Sequence, residues 1–161
     1  MIIREMEKGD WKRVSQIYIS GLERGIATFE TACPSYDDWD KGHLPDCRYV
    51  SVEDGNVVGW IAASPTSARP AYRGSVEVSI YVDEAYQQKS IGYELMQDLI
   101  ATAPKKGIWS LYVSIFSINA VSIEFHRKCG FREIGYRERI AKDRFGQWQN
   151  TTLMELRLQV F

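Results

Sequence analysis

A chain of 161 residues, 45% apolar and 25% charged, is long enough to bury a core without disulfides or metals to staple it. A formal charge of -1 excludes the broadly basic surface that nucleic acid or an anionic membrane selects for. Cys33, Cys47 and Cys129 are odd in number and lack CxxC spacing, so they read as free thiols of a reducing compartment and not as a disulfide frame or metal site. The opening MIIREMEKGDW has no apolar signal core, and no later run is long enough to span a bilayer. The expectation is a cytoplasmic protein with no membrane or nucleic-acid partner. Without repeats or a linker, residues 1–161 read as a single domain.

Taken in order, Ile2 to Glu5 is a short strand, and Gly9-Asp10 supplies a turn and N-cap for a helix. That helix carries Val14, Ile17, Tyr18 and Leu22 on one side and closes near Gly25. Ser35 followed by Asp38 predicts a capped short helix through Trp39 to Leu44. Tyr49–Glu53 and Val57–Ala63 flank Asp54-Gly55-Asn56, whose Asp-Gly pair is strong hairpin chemistry.

Gly74 to Gly92 is the most informative stretch. Val76, Val78, Ile80 and Val82 alternate with Glu77, Ser79 and Tyr81, the pattern of a strand with one apolar face. The polar run Tyr86 to Ser90 then leads into a helix in which Ile91, Leu95 and Leu99 recur every four residues. Such a strand-loop-helix aims the first helical N–H groups at an anion, most naturally a phosphate. It is also a common structural connection, and periodicity alone does not separate the two. After a stop at Ala103 to Gly107, Ser110–Ile115 is another strand; Asn119 and Ser122 open a helix that ends at Cys129-Gly130-Phe131, and Thr151–Leu158 is a closing strand.

Gln87-x-x-Ser90-x-Gly92 resembles the Gln/Arg-x-x-Gly-x-Gly/Ala motif with which the GNAT superfamily of N-acetyltransferases holds the pyrophosphate of acetyl-CoA. The wider run is similar to the branch acting on phosphinothricin and methionine sulfoximine. Ser90 stands where the first glycine is usual; it costs little in a helical residue but about 1–2 kcal/mol in a left-handed one. Asn119-x-x-Ser122-x-x-x-His126-x-x-x-Gly130-Phe131 resembles the second cofactor motif, and Ala27-Thr28-Phe29-Glu30, Arg69-Pro70-Ala71-Tyr72 and Arg144-Phe145-Gly146-Gln147-Trp148 resemble further stretches of that branch. In that comparison Asn150 replaces a usual Asp.

The resemblance implies a mixed α/β (α+β) GNAT fold: a twisted, mostly antiparallel sheet with a splayed central strand and helices on both faces. It implies acetyl-CoA as acetyl donor, held by Gln87, Gln88, Lys89, Ser90, Ile91, Gly92 and Tyr93, by the main chains of Ile80, Tyr81 and Val82, and by Asn119 and Ser122. It places a small amine acceptor against Phe29, Glu30, Arg69, Tyr72 and Ser79, with the Arg69 fork on an anionic group. Glu77 is implied as general base and His126 as acid, in a direct transfer that uses no metal and no acyl-enzyme. Each residue also has a plainer reading: Glu77 as a carboxylate on a solvated strand face, His126 as a structural hydrogen-bond partner, Phe29 as a core plug and Arg69 as a loop arginine. A homodimer is implied as well. Acetylation of a peptide or protein amine, and a catalytically weak acyl-CoA-binding protein, stand as alternatives to a small amino-acid acceptor.

Overall fold

A computed structural model describes residues 1–87 and 89–159. In chain order the elements are β1 (Ile2–Glu5), α1 (Trp11–Arg24), α2 (Tyr36–Gly42), β2 (Arg48–Glu53), β3 (Asn56–Pro65), β4 (Ser75–Val82), α3 (Ile91–Thr102), β5 (Ser110–Phe116), α4 (Ala120–Lys128), β6 (Arg132–Lys142) and β7 (Trp148–Arg157). The strands form one sheet in the order β1-β2-β3-β4-β5-β7-β6. Every neighbouring pair is antiparallel except β4 with β5.

Local chemistry accounts for the boundaries. Asp54 and Gly55 both take positive φ, 51° and 79°, as the tight hairpin between β2 and β3 requires. Gly25 ends α1 at φ 74°. Ser35 Oγ accepts the Asp38 N–H at 3.2 Å at the start of α2. Asp10 departs from expectation, because its side chain does not cap α1. Its carboxylate instead takes two hydrogen bonds from Arg4, at 2.8 and 2.9 Å, which hold its pKa down.

The sheet is covered on both faces. On one, Val76 and Val78 of β4 pack with Leu95, Met96 and Leu99 of α3, Leu111 of β5 and Met154 of β7. On the other, Trp60 of β3 packs with Val14 and Ile17 of α1 and Trp39 of α2, and the Tyr81 ring joins them. The alternation read along β4 therefore decides which residues meet which helix pair. Glu77, Ser79 and Tyr81 share the face that α1 covers.

Two features had no clear sequence signal. β6 is an 11-residue strand, and nearly all of it is solvent-exposed, so no apolar alternation marks it. Its irregular pairing includes Arg139 at φ 47°, whose N–H is taken by Asn150 Oδ1 at 2.8 Å. Asn150 thus clamps a strand irregularity.

Candidate active site

β4 and β5 pair for only three rungs, Ser75 with Ser110, Val76 with Leu111 and Glu77 with Tyr112, and then diverge. Antiparallel alternation shows what this leaves free. Asp83 N–H bonds Val58 O at 2.9 Å, so the odd residues of β4 spend their main-chain groups on β3. The even residues point at β5, and beyond the last rung the N–H and C=O of Ile80 and the N–H of Val82 face open space. Val82 O accepts Gln87 Nε2 at 3.3 Å. Of the three main chains expected to meet a ligand, Ile80 and Val82 are available and Tyr81 is not, because its groups are used by Trp60.

The gap opens into a cleft of about 530 Å³. Its lining includes Ile80, Tyr81, Val82, Gln87, Ser90, Ile91, Gly92, Tyr93, Asn119, Ser122 and His126, all foreseen from the sequence, together with Gly21, Arg24, Ile26 and Ala27 from the end of α1 and the loop after it. The first helical bond of α3 runs from Glu94 N–H to Ser90 O at 2.9 Å, so the amides of Ile91, Gly92 and Tyr93 have no helical acceptor. They leave free donors where the start of α3 lines the cleft, an arrangement suited to an anion. Ser90 itself is left-handed, at φ 65°. A Cβ added to Gly92 would meet the Phe125 ring at 3.4 Å, an ordinary contact, so the packing of α3 on α4 does not by itself require a glycine here.

A smaller cavity, of about 170 Å³, adjoins the cleft and shares Ala27, Ile80, Tyr81, Asn119, Ser122 and His126 with it. Glu77 and Ser79 line it from β4, Ser114 from β5 and Thr28 from the loop after α1. Glu77 stands at the rung where the strands part. Its carboxylate is half-buried with no hydrogen bond or ion pair among the described residues, and burial raises its pKa. A solvated strand carboxylate would not show that shift.

His126 is 4% exposed and lines both cavities. Its Nδ1 lies 2.7 Å from Ser122 O, an acceptor only, so Nδ1 carries the proton. Nε2 then has a bare lone pair, buried and without a partner. Burial also lowers the ring's pKa, so the neutral form prevails. The acid expected here thus carries its proton on the nitrogen bound to Ser122, and its free nitrogen is a proton acceptor. Asn119 is partly engaged too: Oδ1 accepts Ser122 N–H at 3.2 Å and Nδ2 donates to Ile26 O at 3.4 Å.

Several expected contacts fall elsewhere. Lys89 is not in the cleft lining, although its ammonium lies 5.1 Å from the centre of the ring of Tyr86, which is. Arg69 and Tyr72 stack on one another on an exposed turn, 5.5 Å from guanidinium to ring centre, and line neither cavity. Phe29 packs on buried Phe116 at 4.5 Å between ring centres, and Glu30 is exposed. Gln88 lies outside the described residues.

Residues 11–131 match the acetyltransferase (GNAT) family. The chain belongs to that family. Among similar proteins, YwnH of Bacillus subtilis (strain 168) is 37% identical over 84% of this chain and 86% of its own. The L-methionine sulfoximine/L-methionine sulfone acetyltransferase of Salmonella typhimurium is 29% identical over 98% of this chain and 95% of its own. A crystal structure of a GNAT phosphinothricin acetyltransferase from Sinorhizobium meliloti, in complex with AcCoA, is 27% identical with a TM-score of 0.87, covering 98% of this chain and 88% of that one. This protein is therefore a GNAT acetyltransferase, and its splayed sheet is the fold of the family.

Arg24 and Gly21 of this GNAT carry no local motif, and only the packing of α1 over β4 brings them to the cleft. A Cβ at Gly21 would lie 2.6 Å from two carbons of the Tyr81 ring, so the glycine is the slot that ring occupies. Ser90 offers a direct test of strain. Ser90→Gly relieves a left-handed non-glycine residue and is expected to stabilise the protein by about 1 kcal/mol, or ~2–4 °C in melting temperature. Differential scanning calorimetry checks this; an unchanged or lower midpoint shows that the residue carries no strain.

Proposed function

We propose that this GNAT acetyltransferase moves the acetyl group of acetyl-CoA to the amine of a small amino-acid-like acceptor of the methionine sulfoximine, methionine sulfone or phosphinothricin type. The observation that carries the proposal is Glu77: a half-buried, unpartnered carboxylate of raised pKa at the point where β4 leaves β5, on the wall of a small polar cavity that joins a long cleft. The cleft suits the donor. Its free amides at the start of α3 fit a diphosphate, and the unpaired groups of Ile80 and Val82 fit a chain carrying amides of its own.

In this reading Glu77 takes a proton from the acceptor ammonium, and the neutral amine attacks the thioester carbonyl directly. The outward N–H of Ile80, the first free amide beyond Glu77, is assigned to the oxygen that becomes negative. His126 Nε2 accepts the proton that the new amide nitrogen sheds, and the thiolate leaves. The cavity of about 170 Å³ favours a small acceptor over a peptide segment. No helix among the described residues is long and apolar enough to cross a membrane, and soluble donor and acceptor suit the cytoplasmic location we propose. Thiol release across methionine sulfoximine, methionine sulfone, phosphinothricin and a set of peptides tests the assignment. Turnover restricted to peptides, or none at all, overturns it.

Pairing of two copies through β6 belongs to the same proposal. β6 is the sheet edge, and Ile134, Tyr136 and Ile140 are exposed along it. A two-fold axis across antiparallel strands must pass through a residue opposite itself. With Gly135 on that axis, Arg132 faces Glu138, Glu133 faces Arg137 and Ile134 faces Tyr136, and no like charges meet. Arg137→Glu sets carboxylates opposite each other twice and is expected to weaken self-association about tenfold, while Glu133→Arg/Arg137→Glu restores it. Sedimentation equilibrium reads both; a monomeric wild type, or a dimer indifferent to the reversal, excludes this edge.

A further inference from the structure

Acetyl-CoA is a polyanion, yet among the described residues lining the larger cleft only Arg24 carries a fixed positive charge. Lys89, the cation that local sequence suggests, is not in that lining, although its ammonium lies 5.1 Å from the centre of the Tyr86 ring, which is. Arg24 ends α1, and its Nε lies 3.1 Å from Glu84 Oε1, at the head of the turn leading into Gln87 and Ser90. Among the described residues no other partner engages its guanidinium, so both Nη groups have donors to spare.

The Arg24–Glu84 pair is poorly suited to a structural role. Its side chains are 39% and 62% exposed, the class of ion pair that contributes little to stability. The tie between α1 and this turn is already made by Arg13, which donates to Val57 O at 3.1 Å and to Asp83 at 2.7 Å; Asp83 in turn accepts Ala85 N–H at 2.9 Å. What remains is an exchangeable guanidinium on the wall of a cleft that the free donors at the start of α3 also line.

We infer that Arg24 binds the diphosphate of the donor, giving up Glu84 as the ligand enters. This rests on the reading that the cleft takes acetyl-CoA. Glu84 then competes with the ligand for one guanidinium, so the two side chains act in opposite directions. A purely structural pair would behave otherwise, since losing either member would loosen the turn and weaken binding alike.

Isothermal titration with coenzyme A, and with acetyl-pantetheine as a probe lacking the phosphates, tests this. Arg24→Gln is expected to raise the Kd for coenzyme A about tenfold, the worth of one charge-assisted hydrogen bond. Glu84→Gln is expected to lower it about twofold or more. Neither changes the weaker binding of acetyl-pantetheine. Wild type that binds coenzyme A while Arg24→Gln binds equally well, or while both variants are weakened, overturns the role of Arg24 alone. Wild type that binds no coenzyme A overturns the reading of the cleft as well.

Discussion

Glu77→Gln is expected to lower turnover about 10²- to 10⁴-fold, the usual worth of a positioned base, while acetyl-CoA still binds. The same change should raise thermal stability at neutral pH. Burial holds the Glu77 pKa above its ordinary 4.5, so the folded protein ionises this group less readily than the unfolded chain does. The favourable contribution is complete below the ordinary glutamate range and is lost as pH rises through the raised value. Glutamine has no charge to desolvate, so its advantage over the wild type should grow from acid to neutral pH and then level off. Melting curves and rate profiles over that range check both parts. The acid limb of kcat/KM should lie above the ordinary glutamate pKa in the wild type and vanish in the variant. Undiminished turnover removes Glu77 from the chemistry, and a loss of stability at neutral pH makes it a structural group.

His126→Phe is the second large effect, with turnover falling about 10²-fold. The ring sits edge-on against Phe125 and Phe131, each 5.1 Å away between ring centres, so a phenyl group suits the site. The variant loses the bond from Nδ1 to Ser122 O, worth about 1 kcal/mol, but it also removes a buried nitrogen without a partner, a defect of about 1–3 kcal/mol. The melting temperature should hold or rise while activity collapses. Sign and pH window follow from the lowered pKa: the folded state resists protonation, so the wild type loses stability as pH falls through the ordinary histidine value of 6.5. The variant lacks that loss. Activity surviving the substitution would make Nε2 an idle core atom.

Residues whose role depends on near neighbours in the chain were readable in advance. Alternation along β4 set Glu77 and Ser79 on the face away from Val76, Val78 and α3, the Asp54-Gly55 pair marked its hairpin, and the polar run before Ile91 marked the open start of α3. Asn119 opens α4 as read, although its side-chain oxygen is spent on the Ser122 amide. Residues placed by distant packing were not readable. Arg24 reaches the cleft only because α1 crosses β4, and the loss of Tyr81's main chain to β3 depends on which residues of two strands fall opposite. Arg69 shows the converse: a residue pattern suited to gripping an anion lies on an exposed turn apart from both cavities. β6 went unmarked because an edge strand exposed on both faces has no period to detect.

The early parting of β4 from β5 leaves this protein one strand short of a complete sheet. Under the proposed function the missing strand is the donor itself, whose arm completes the hydrogen bonding that Ile80 and Val82 leave open. Substitutions that zipped the two strands together would give a sturdier apoprotein with nowhere to seat a thioester. A closed seam would therefore remove the cleft, and under the proposed function the resting enzyme keeps the main-chain groups of Ile80 and Val82 free for the donor.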